Sequence, residues 1–90
     1  MIPDNIRRAD ILAVIRQLDA GQIIVPPTQR STGYCLVHNG THYPPKFLIR
    51  AANRTVNGDE LWGFHGGRET NNYLTDLRFR IIPHGGAPHT

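Results

Sequence analysis

The sequence predicts an α+β domain: an N-terminal helix, a β-hairpin, two short helices and a C-terminal strand, with a small antiparallel sheet packed on the helices. Three observations predict it. Residues 6–19, IRRADILAVIRQLD, carry Ile11, Val14, Ile15 and Leu18 at the i, i+3, i+4, i+7 spacing of an amphipathic helix. Asn39-Gly40 lies between two strand-like runs, and both residues tolerate the positive φ of a type I′ turn, which makes the pair a strong hairpin signal. Near the end, FHGGRETNNYLTDLRFRII changes from helical spacing to an alternation in which Phe79 and Ile81 share a face.

Taken in order, Asp4 or Asn5 is placed to cap the first helix and Gly21 to end it. QIIVPPTQRST follows as a short extended apolar piece stopped by Pro26 and Pro27, a loop ending in Arg30, Ser31 and Thr32. In the hairpin, a type I′ turn sets His38 opposite Thr41 and Val37 opposite His42, with Tyr34, Leu36 and His38 on one face and Cys35 and Val37 on the other. Pro44 and Pro45 stop the second strand, and Pro45 suits the first turn of a helix over residues 46–53. At 100° per residue, Phe47, Leu48, Ala51 and Ala52 gather on one side of it, and Lys46, Arg50, Asn53 and Arg54 on the other. Val56-Asn57-Gly58 closes that helix. Gly66-Gly67 opens the next, with Tyr73, Leu74 and Leu77 inward and Arg68, Asn71, Asn72 and Thr75 outward. Residues 1–83 form one domain, and residues 84–90, HGGAPHT, read as a tail or linker.

Composition narrows the class. Ninety residues suffice for one small core. No window approaches the ~20 apolar residues of a membrane span. The N-terminus MIPDNIRRADI lacks the apolar centre of a signal peptide. The single cysteine, Cys35, rules out an internal disulfide or a multi-cysteine zinc site and suits a small buried thiol in a reducing compartment. A cytoplasmic domain is expected.

Charge is more informative than its sum. Ten basic residues against seven acidic give +3, a small excess. From Ala20 to Gly58, however, there is no Asp or Glu, while Arg30, Lys46, Arg50 and Arg54 all fall in that span. Nine of the ten cations are arginine, the side chain suited to bidentate phosphate and guanine contacts. A GC-rich genome would explain the arginine preference equally well, but not the missing acids.

Lys46, Arg50 and Arg54 are therefore read as a stripe that tracks phosphates, against the plainer reading of a solvated helix face. Four neutralised phosphates would set the slope of log K against log[salt] near about −3.6. Gly66, Gly67 and Arg68 can form an anion site where free N–H groups, the helix dipole and a guanidinium converge. Alternatively, the glycines only let the chain turn over Trp62 and Phe64. Asn71, Asn72 and Thr75 are candidate base-edge readers, since asparagine bonds bidentately to adenine. Tyr34, Tyr43 and Trp62 could stack on a base, although core packing is the default for such residues. Arg30, Ser31 and Thr32 complete the phosphate-binding candidates. The five histidines do not form a metal site, since His38 and His42 fall on opposite faces of the hairpin and His84 and His89 lie in the tail. Cys35 and His38 point to opposite sides of one strand, so no nucleophile–base pair arises there. No catalysis, metal or cofactor is read from the chain.

RSTGYCLVHNGTHYPPK, the Ala51-Ala52 helix ending at Asn57-Gly58, and FHGGRETNNYLTDLRF together resemble a family pattern. It is that of the N-terminal head domain of modification-dependent, McrA-like HNH restriction endonucleases. The likeness spans about residues 6–82 and rests on Arg30, Ser31, Thr32, Tyr34, Gly40, Tyr43, Pro44, Pro45, Lys46, Phe64, Gly66, Gly67, Thr70, Asn71, Leu74, Leu77 and Phe79. The family's L-G-F is here Leu77-Arg78-Phe79, which leaves the last helix without a glycine cap, and its G-G-E is Gly67-Arg68-Glu69, which adds a cation at a helix start. The resemblance implies a non-catalytic module that binds double-stranded DNA, possibly modified, and works with a nuclease domain in the same or another chain. The expected contacts are Arg30, Ser31, Thr32, Tyr43, Lys46, Arg50, Arg54, Gly66, Gly67, Arg68, Asn71 and Asn72. The alternative is a protein-interaction or dimerisation head that positions nuclease partners.

Overall fold

The computed structural model describes residues 2–29, 33–59, 61 and 68–83. Helix α1 spans Arg8–Asp19, and a 3-10 turn spans Pro27–Gln29. Strands β1 (Tyr34–His38) and β2 (Thr41–Tyr43) come next, then helices α2 (Pro45–Asn57) and α3 (Arg68–Asp76), and strand β3 (Arg80–Pro83). The sheet runs in the order β2-β1-β3 with both pairings antiparallel, and the helices pack on it: an α+β fold, as the sequence predicts.

The hairpin register follows from its turn. Asn39 has φ 51° and Gly40 φ 77°, both positive as a type I′ turn requires. Val37 pairs with His42 and His38 with Thr41, as expected. On its other edge β1 takes β3, with Leu36 opposite Ile81 and Val37 opposite Arg80. Leu36, wholly buried, is thus the centre of the inner face, between Tyr43 and Ile81.

Helix α1 buries Ile11, Val14 and Ile15, and it begins at Arg8, two residues later than the expected span 6–19. Its cap is neither Asp4 nor Asn5. Arg7 is the N-cap residue, and its backbone N–H donates to Asp10 Oδ2 at 2.8 Å, so one carboxylate both caps the helix and complements its dipole. The preceding residues form a strap that buries Ile2 and Ile6. The strap is tied down from α3: Ile2 N–H donates to Glu69 Oε2 at 3.2 Å. The Tyr73 hydroxyl shares its proton between the carbonyls of Pro3 at 2.7 Å and Ile6 at 2.8 Å. At the other end of α1, Gly21 adopts φ 73° and its N–H bonds to the Leu18 carbonyl at 3.1 Å, the expected glycine stop.

Helix α2 is longer than the expected 46–53. It buries Phe47, Leu48, Ile49 and Ala52, and it also buries Asn53, which periodicity had assigned to the outer side. Asn53 is accommodated because both ends of its amide are bonded. Nδ2 donates to the Asp59 carbonyl at 2.7 Å, and Oδ1 accepts from Asn57 Nδ2 at 2.7 Å. Asn57 in turn accepts from Asn5 Nδ2 at 2.7 Å, so the chain linking Asn5, Asn57, Asn53 and Asp59 joins the strap to the end of α2. Gly58, at φ 78°, ends the helix.

The exit from α3 is a Schellman motif built on an arginine. Phe79 N–H bonds to the Leu74 carbonyl at 3.1 Å and Arg78 N–H to the Thr75 carbonyl at 2.9 Å, with Arg78 at φ 70°. Arg8 completes this end. Its Nη1 donates to the carbonyls of Leu77 at 3.0 Å and Arg78 at 2.9 Å, and its guanidinium carbon lies 4.4 Å from the Phe79 ring centroid. The same ring meets His38 edge-on at 6.1 Å.

Candidate nucleic-acid interface

Lys46, Arg50 and Arg54 recur every fourth residue along α2, so the stripe is about 12 Å long at 1.5 Å per residue. Lys46 and Arg54 are exposed on the side opposite Leu48, while Arg50 is half-buried, with its Nε shielded from solvent. All three already interact within the fold, so a bound phosphate would exchange with those contacts. Asn53 departs from the stripe into the interior, for the reason given above.

Helix α3 carries a second row. Arg68, Asn72 and Thr75 are exposed at i, i+4 and i+7, one face of the helix. Thr75 Oγ1 donates to the Asn72 carbonyl at 3.1 Å, which leaves the Asn72 amide as the outward polar group. Asn71 is half-buried, and its Oδ1 is buried without a hydrogen-bond donor among the described residues. It therefore leaves the expected base-reading row, because the residue after wholly buried Thr70 is carried towards the interior.

Tyr43 is a correction. It is 5% exposed, packed in the core, and its hydroxyl donates to Asp19 Oδ1 at 2.5 Å. A ring placed there cannot stack on a base or reach a backbone phosphate. The bond also has a structural role: Asp19 puts a carboxylate at the C-terminal end of α1, where the dipole disfavours it, and the phenol O–H stabilises that charge by hydrogen bonding. Of the other proposed stacking residues, Tyr34 is 43% exposed and Trp62 lies outside the described residues. Arg30, Ser31, Thr32, Gly66 and Gly67 also lie outside them.

Burial, reinforced by the bond to Asp19, raises the Tyr43 pKa above 10.0. Burial also raises that of Tyr73, with the carboxylates of Asp4 and Asp10 adding to the shift against the opposing bond to the Ile6 carbonyl. Both phenols are therefore neutral donors at pH 7. Because the folded state holds these protons more tightly, their contribution is complete below pH 10.0, the ordinary phenol value, and declines as the pH rises through the folded pKa values. A urea-denaturation series from pH 8 to 11 should show stability falling above about pH 10. The fall should be shallower in Tyr43→Phe and Tyr73→Phe.

Among the described residues, no group of three His, Cys, Asp or Glu side chains is placed to hold a metal ion. Cys35 is buried. No helix in the described residues is long and apolar enough to cross a membrane. The chain matches no protein-family model, no curated protein sequence and no solved structure.

The arginines that sequence reasoning passed over stand elsewhere. Arg7 and Arg8 at the start of α1 and Arg78 and Arg80 at the start of β3 are separated by about seventy residues, yet the Arg8 bonds to Leu77 and Arg78 bring the two segments into contact. The one signal was the departure at Arg78, which stands where the resembled pattern has glycine.

Proposed function

We propose that this domain is a non-catalytic, cytoplasmic module that binds double-stranded DNA and targets a modification-dependent restriction system, with the nuclease in the same or another chain. One observation carries the reading. The acid-free span from Ala20 to Gly58 includes α2, whose inner face is core and whose outer face exposes Lys46 and Arg54. A helix face with one sign of charge attracts phosphates without reading sequence. Arg68 and Asn72 on α3 add a cation and an outward amide suited to a base edge.

The test is fluorescence anisotropy on plain, cytosine-methylated and phosphorothioate duplexes across a salt series. Each of Lys46, Arg54 and Arg68 that meets a phosphate contributes about −0.9 to the slope of log K against log[salt], or about −2.7 together. Lys46→Ala/Arg54→Ala should weaken binding about tenfold near 0.1 M salt and flatten the slope by about 1.8. Absence of binding at low salt sinks the reading, as does affinity indifferent to salt. A different observation favours the protein-interaction alternative: Ile24 is 80% exposed beside Pro26 and Pro27, and Tyr34 is also exposed. Self-association in sedimentation that Ile24→Ser abolishes would support it.

A further inference from the structure

We infer that the start of β3 and the start of α1 together form a second phosphate-binding surface, centred on Arg78 and Arg80 and organised by Arg8. It rests on the duplex-DNA reading and extends it to a part of the molecule that the α2 stripe does not include.

The first observation is conformational. Arg78 sits at φ 70°, the left-handed region that suits glycine or asparagine and strains other side chains. The Schellman bonds need only its backbone, and so do the bonds from Arg8. Glycine would satisfy all of them with less strain, so the arginine side chain has no part in closing the helix. It is exposed, and among the described residues no carboxylate pairs with it.

The second observation is placement. Arg80 is exposed and pairs with Val37, which pairs on its other side with exposed His42, so Arg80, Val37 and His42 form one row across the outer face of the sheet. Phe79 turns inward between Arg78 and Arg80, which sends both arginines outward. Arg8, bonded to the carbonyls of Leu77 and Arg78, brings its exposed neighbour Arg7 to the same end of the molecule. Asp4, Asp10 and Asp76 are the carboxylates in the sequence neighbourhood of these arginines, and Asp10 is turned to the Arg7 backbone amide. Asp19 and Glu69, on the same helices, are bonded to the Tyr43 hydroxyl and the Ile2 amide.

Planar guanidiniums held on rigid backbone match phosphate oxygens bidentately. The partner that fits is the sugar–phosphate backbone of a duplex, with Arg78 and Arg80 on successive phosphates of one strand and His42 as a further donor beside them.

Arg78→Gly gives the decisive test, because its two effects oppose each other. Removing strain at the helix exit should raise Tm by roughly 4 °C, while removing the cation weakens duplex binding. Arg78→Gly/Arg80→Gln should bind duplex about tenfold more weakly near 0.1 M salt and flatten the salt slope by about 1.8. Arg78→Lys, which keeps the charge but not the planar fork, should keep the salt slope of the parent while losing part of its affinity. The proposal is overturned if the double variant binds with unchanged affinity and slope while Lys46→Ala/Arg54→Ala is impaired, which leaves the α2 reading intact. Impairment of the Arg78 and Arg80 variant alone supports this surface and removes α2 from the interface. A parent chain that does not bind duplex at any salt overturns both.

Discussion

Arg8→Ala should lower the stability of the domain by about 2–3 kcal/mol, the sum of two charge-assisted hydrogen bonds and a cation–ring contact at a partly solvated site. The loss is large because the two carbonyls that Arg8 serves, those of Leu77 and Arg78, are at the end of α3, where no next turn supplies donors. The guanidinium also complements the negative end of that helix and lies over Phe79, which is 6% exposed. In a chain of ninety residues, such a change lowers Tm by about 10–20 °C. Arg8→Lys should recover less than half of it, since one ammonium cannot reach both carbonyls and cover the ring as a planar fork does. Thermal and urea denaturation followed by circular dichroism would measure both variants. A cost for Arg8→Ala below about 0.5 kcal/mol, the usual range for a surface substitution, would show that these contacts do not hold in solution.

Asn53→Ala should cost about 2 kcal/mol, through the loss of two hydrogen bonds of about 1 kcal/mol each. Asn53 is 2% exposed, and its removal takes away the two 2.7 Å bonds to the Asp59 carbonyl and from Asn57 Nδ2, while exposed Asn57 keeps its bonds with Asn5. Asn5→Ala, at the exposed end of the same chain of amides, should cost under about 1 kcal/mol. The double variant should lose less than the two losses added, because breaking the inner link already loosens the outer one. Strict additivity in urea titrations would show that the four groups act independently.

The parts of this fold that could be read from the sequence are those set by neighbours in the chain. Asn39-Gly40 dictates the hairpin register, since the turn type decides which residues face each other. Gly21 and Gly58 mark helix ends for the same local reason. What could not be read depends on partners far along the chain. Asn53 appeared to be a surface residue because periodicity weighs polarity and not the carbonyl of Asp59. Tyr43 appeared available for stacking because nothing near it in sequence announces Asp19, twenty-four residues earlier. The role of Arg8 depends on carbonyls sixty-nine and seventy residues away and leaves no sequence pattern. The candidate interface divides along the same line. Lys46, Arg54, Arg68 and Asn72 are exposed as helix geometry predicts, whereas Arg50, Asn71 and Tyr43 are drawn inward by packing.

The strap before α1 is held by Glu69 and Tyr73 of α3, and Arg8 just after it closes the end of that helix. These partners of the strap and of Arg8 lie 67–70 residues further along the chain. Closing a loop of that length must precede the contacts that stabilise it, which delays folding relative to a chain of the same size built from local contacts. A nascent chain stalled before Phe79 would expose Ile2, Ile6 and the apolar side of α2 together, a surface that invites chaperones or aggregation until synthesis resumes.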